Sequence, residues 1–139
     1  PPQPWFYGGQ WYCNIFMDPK ECLDYCTGNG WGFCLDVCHA FLWCNFVKQE
    51  GTLRDFMRIV RPVVGHMHIS DGRGVDGEGV QVGEGEMDLK EVLEYLGDRG
   101  IGIVPEVWLG HKDNFAGFKI AWERLEALWP RATTAGVPV

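Results

Sequence analysis

The sequence predicts an α/β fold in which parallel strands alternate with helices, and two observations lead there. Apolar runs of strand length recur along the chain, each followed by helical periodicity or helix punctuation. Three of those runs end in residues that ligate metals: Leu35-Asp36-Val37-Cys38-His39, His66-Met67-His68-Ile69-Ser70-Asp71 and Pro105-Glu106-Val107-Trp108. Strands separated by helices of this length pair in parallel through crossovers.

Asp18 can cap a helix and Pro19 suits its first position, so residues 19–27 read as helical, stopped by Gly28-Asn29-Gly30. Residues 31–37 form a short apolar strand, and a second helical stretch follows, clearest over residues 52–61, capped by Thr52 and ended by Pro62. Residues 63–70 are the next strand, and the glycine-rich residues 71–86 are expected to be a long loop. Leu89, Val92, Leu93 and Leu96 give residues 88–98 a helical period, with Gly100 as the stop. Residues 101–108 read as a strand, 110–114 as a loop and 115–129 as a closing amphipathic helix, with a flexible tail over 130–139.

Side-chain parity narrows the class. In the 63–70 strand His66, His68 and Ser70 share one face, while Met67 and Ile69 take the other. The same alternation groups Asp36 with Cys34 and Gly32, and Glu106 with Val104 and Gly102. Each strand then has an apolar face for covering helices and a face of small or metal-binding residues near its C-terminal end. That is the layout of a barrel interior, whose active sites lie at the C-terminal ends of the strands. About four strands are expected, so residues 1–129 read as the C-terminal half of a (β/α)8 barrel, a fragment of a longer chain, with the end of another strand within residues 1–12.

Composition removes several functions. With 46% hydrophobic residues in 139, a packed core is attainable. A balance of 12 basic against 19 acidic residues, net charge -7, repels phosphate backbones and disfavours nucleic acid. No run approaches the roughly 18 apolar residues of a membrane span, and no basic-then-apolar leader pattern is present. The six cysteines sit in apolar, periodic segments without paired zinc knuckles, which predicts reduced, buried thiols and a cytoplasmic setting.

Asp36 and His39, three residues apart, read either as a metal ligand with a substrate or second-metal contact, or as a helix cap with a surface histidine. His66 and His68, side by side on a strand expected to be buried, must be hydrogen-bonded, protonated or ligating. Glu106 lies in Ile103-Val104-Pro105-Glu106-Val107-Trp108, where a lone carboxylate incurs a large desolvation penalty and needs a metal, an Arg or a Lys. Trp108 is the tryptophan best placed to line a pocket. The acidic run Asp76 to Glu86 lacks the Lys-Ser/Thr ending of a phosphate loop and suits a lid or rim over a metal site.

Leu-Asp-x-x-His, His-x-x-Asp and a late-strand Pro-Glu, in this order, resemble the xylose isomerase-like TIM barrel superfamily of sugar phosphate isomerases and epimerases, which also holds AP endonucleases. The stretches Pro1-Pro2-Gln3-Pro4-Trp5-Phe6-Tyr7-Gly8-Gly9-Gln10-Trp11, Asp76 to Glu86, and Pro105-Glu106-Val107-Trp108-Leu109-Gly110-His111-Lys112 look like the branch fused to N-acetylneuraminate synthase domains. The resemblance implies one divalent metal ion (Mn, Mg, Co or Zn) on Asp36, His68 and Glu106, with a further Glu ligand expected just upstream of Pro1. It implies Glu106 and His39 as catalytic residues, and His39, His66, Arg73, Trp108 and His111 on the substrate side. Arg73 departs by one residue from the family spacing. The region Asp76-Gly77-Glu78 lacks the metal-binding His of the AP endonuclease branch.

The function so implied is metal-dependent isomerisation or epimerisation of a sugar or sugar phosphate, by proton transfer through a metal-stabilised ene-diolate. A hydride shift between two metals is a variant. A rival reading is a non-catalytic sugar-binding or regulatory barrel module attached to a sialic-acid-type synthase, and a weaker one is a metal-dependent phosphoesterase. An open half-barrel also predicts a homodimer or a missing N-terminal half-barrel as partner.

Overall fold

The computed structural model describes residues 4–12, 15–47, 52–97 and 100–129. The chain opens with an antiparallel hairpin, β1 (Trp5–Tyr7) and β2 (Gln10–Tyr12), pairing Trp5 with Tyr12 and Phe6 with Trp11. Gly8 and Gly9 both take positive φ, 60° and 83°, as a two-residue hairpin turn requires. This corrects the expectation of a further parallel strand end within residues 1–12; residues 1–3 lie outside the described residues.

Helix α1 (Pro19–Asn29) starts where the sequence places it, with the Asp18 carboxylate accepting the Lys20 and Glu21 backbone N–H groups and Gly30 closing it. Then come β3 (Phe33–Asp36), α2 (Val37–Val47) and α3 (Leu53–Val60). Thr52 caps α3 in a reciprocal box with Asp55. Strand β4 (Val64–Ile69) leads into a small hairpin, β5 (Asp71–Arg73) and β6 (Gly77–Val80), within the region expected to be only loop. Helix α4 (Leu89–Leu96) ends at Gly97 rather than Gly100. Strand β7 (Gly102–Pro105) precedes α5 (Lys112–Leu128), whose first turn is left-handed at Asp113, Asn114 and Phe115 before the right-handed helix sets in. The tail expected over residues 130–139 lies outside the described residues.

Strands β3, β4 and β7 form one parallel sheet in the order β3-β4-β7, three strands among the described residues where about four were expected. One face carries Leu35, Met67 and Ile69, all fully buried, against α2, α3, α4 and α5 through Val37, Phe56, Leu93 and Ala121. Each such side chain contributes about 2 kcal/mol on burial, which makes this layer the source of the fold's stability. The other face is open: Cys34 and Gly102 are exposed and Val104 is 45% exposed. Cys22, Cys26 and Cys38 are buried, as expected of core thiols, whereas Cys34 is not; Cys13 lies outside the described residues. No helix among the described residues is long and apolar enough to cross a membrane.

Candidate metal centre

The open face orders its side chains by register. Cys34 pairs with His66 and His66 with Gly102, giving one row; Asp36 pairs with His68 and His68 with Val104, giving the next. Glu106 extends the ladder one step beyond β7, its N–H donating to the Ile69 carbonyl at 2.8 Å. Its carboxylate thereby reaches His68, with Oε2 2.7 Å from Nδ1. Ligand atoms of Asp36, His68 and Glu106 lie within 4.8 Å of one another. Metal bonds of about 2.0–2.6 Å let one ion reach three donors so spread, and two carboxylates with one imidazole suit a hard or borderline divalent cation.

Asp36 caps α2 and also stands among the candidate metal donors. It directly precedes α2, and its Oδ1 accepts the His39 backbone N–H at 3.0 Å, while Oδ2 stands 3.0 Å from His39 Nδ1. Burial pushes the Asp36 carboxyl above the usual carboxylate range, an effect that neighbouring His39 opposes. The second ring nitrogen of His39, Nε2, lies 3.0 Å from Glu78 Oε2. Both nitrogens of His39 therefore face carboxylates, which makes it a link between Asp36 and the β5–β6 hairpin.

Glu106 requires a correction. It was expected in a buried strand, but its side chain is 57% exposed, because nothing among the described residues covers that face. Its desolvation penalty is correspondingly small. An ion pair this exposed is worth about 0–1 kcal/mol, so His68 and Glu106 are not brought together for stability.

The hairpin is a fixed rim. Asp71, only 1% exposed, accepts four backbone N–H groups: Gly72 and Met87 on Oδ1, Gly83 and Gly85 on Oδ2, at 2.9–3.1 Å. Arg124 of α5 holds the Val82 carbonyl at 2.7 Å and Glu84 at 2.8 Å. Gly79, at φ 66°, lies under Trp108, where a Cβ would overlap the indole, and the Trp108 N–H donates to its carbonyl.

The remaining expected site residues fall in different places. His66 adjoins His68, ring centroids 5.6 Å apart and edge-on. Trp108 stands on the rim, 66% exposed. The Arg73 guanidinium is held on the Glu84 carbonyl, and His111 is exposed ahead of α5 with no capping hydrogen bond from its side chain. Neither is drawn into the Asp36–His68–Glu106 group. Sequence reasoning missed Glu78 and the buried role of Asp71; the acidity of residues 76–86 was the only signal for the first.

A family model described as xylose isomerase-like TIM barrel matches residues 6–138. No curated protein and no solved structure matches the chain.

Proposed function

The chain belongs to the xylose isomerase-like TIM barrel family, and from that premise we propose that it is a divalent-metal-dependent isomerase or epimerase of a sugar or sugar phosphate. The observation that supports this most is the convergence of Asp36, His68 and Glu106 at the C-terminal ends of three adjacent parallel strands, where barrel active sites are built. Those three residues would hold one divalent ion of the Mn, Mg, Co or Zn class. Such an ion supplies polarisation of a sugar carbonyl, which acidifies the adjoining C–H.

The chain's own groups supply the rest. Glu106, carboxylate-bearing and more than half exposed, is the group that takes and returns the proton at its Oε atoms. His68, 2.7 Å from it, orients that carboxylate. His39, held between Asp36 and Glu78, keeps Asp36 turned to the site and presents an imidazole edge to substrate. His66, beside His68, and Trp108, over Gly79 of the hairpin, would line the substrate side, and Arg73 and His111 would contact substrate.

A second reading is a non-catalytic sugar-binding module of the branch attached to sialic-acid-type synthases. The openness of the face favours it, since efficient proton transfer benefits from excluding water. Incubation with Mn2+ and a panel of aldoses, ketoses and their phosphates in D2O separates the two. The isomerase reading expects deuterium at the carbon next to the carbonyl, and loss of that incorporation by 100-fold or so in Glu106→Gln. Sugar binding with neither deuterium incorporation nor conversion of any member to its isomer, retained in Glu106→Gln, would favour the module and sink the enzyme.

A further inference from the structure

The open face carries a second set of donor atoms, of which the proposed metal centre uses only those of His68. Ligand atoms of Cys34, His66 and His68 lie within 4.8 Å of one another. The set is built into the register: Cys34 and His66 are paired across β3 and β4, and His68 follows on the same face. His66 and His68 meet edge-on at 5.6 Å, with one nitrogen of each ring within 4.8 Å of the Cys34 sulfur. The third strand makes room for this. His66 faces Gly102 on β7, and a Cβ there would come within 2.6 Å of His66 Nδ1. No hydrogen bond from the protein reaches the His66 ring among the described residues, and Cys34 is the one exposed cysteine among them.

We propose that Cys34, His66 and His68 form a second metal site, selective for a thiophilic divalent ion such as Zn2+. One thiolate and two imidazoles are a softer donor set than two carboxylates and an imidazole, and suit zinc or cobalt rather than magnesium or manganese. Three protein donors leave a position open. The two sets share His68, so they compete: an ion in the sulfur set withdraws His68 from Asp36 and Glu106. Zinc bound there inhibits whatever Mn2+ or Mg2+ supports at the oxygen set, and replacing the sulfur by oxygen removes that inhibition. The proposal goes beyond the isomerase reading and holds or fails without it.

Co2+ is the probe, because a cysteine thiolate bound to it gives a charge-transfer absorption that oxygen and nitrogen donors do not. Titration of the chain with Co2+ is expected to produce that band in the unmodified protein and in Glu106→Gln, and to produce none in Cys34→Ser. Absence of the band in the unmodified protein, or its survival in Cys34→Ser, overturns the proposal. A measurement on the unmodified chain guards against misfolding of the variant. Zn2+ is expected to slow alkylation of Cys34, located by mass spectrometry, by roughly tenfold or more, because a coordinated thiolate is withdrawn from reaction. An alkylation rate at Cys34 that is the same with and without Zn2+ also overturns it.

Discussion

Asp36 spends one carboxylate oxygen on the helix that follows it and turns the other toward His39 and the metal donors. Its position costs stability. Burial raises the folded-state pKa of Asp36 above its ordinary value, so its contribution is complete below the ordinary carboxylate range and is lost as pH rises through the raised value. The ionised form of Asp36 is therefore a liability that a bound cation would relieve. Asp36→Asn keeps the oxygen that caps α2 and removes the charge. It is expected to leave thermal stability at pH 7 equal or higher, to flatten stability against pH just above the ordinary carboxylate range, and to weaken Mn2+ binding by at least tenfold. A marked loss of thermal stability would show that the charge serves the fold. Asp36, His68 and Glu106 were legible because parity along a strand is a local rule. Glu78 was not, since its contact with His39 spans 39 positions and no periodicity foretells it.

The starts of the capped helices were read correctly, whereas the β5–β6 hairpin, held by distant groups, was not. Asp18 and Thr52 cap α1 and α3 through residues two and three positions away, which a sequence displays directly. The β5–β6 hairpin is different. Glycine-rich and poor in β-formers, it looks like loop; the backbone groups that Asp71 gathers lie 12 to 16 residues further on at Gly83, Gly85 and Met87. Removing that carboxylate strands several N–H groups in a buried setting. Asp71→Ala is expected to destabilise the chain by about 3 kcal/mol, read as a shift of the urea midpoint at constant slope. The change also frees the rim that presents Glu78 and Gly79, so it is expected to weaken metal binding. A midpoint shift under about 0.5 kcal/mol, the range of ordinary surface changes, would contradict the role given to Asp71.

Across the described residues as a whole, the sheet is covered on one face only. The alternation of apolar and polar residues predicted this division and the half-barrel predicted the openness, but Glu106 was expected to be buried because its neighbours in sequence are apolar. Cys34, Gly102 and Val104 are exposed there, and the outer edges of β3 and β7 have no strand partner among the described residues. Unpaired edges beside an open, partly apolar face favour association. The chain is expected to self-associate at micromolar concentration in sedimentation velocity, with a homodimer as the simplest product; a clean monomer would contradict that expectation. The same open face bears on function, because covering it would exclude water from Glu106 and His68.

The proposed function stands on Asp36, His68 and Glu106 together holding one hard or borderline divalent ion. Electron paramagnetic resonance of free Mn2+ during titration of the chain tests it most directly. One saturable Mn2+ site per chain is expected, weakened by at least tenfold in each of Asp36→Asn, His68→Gln and Glu106→Gln and unchanged in Cys34→Ser. No saturable site, or a site indifferent to all three of those substitutions, would contradict it.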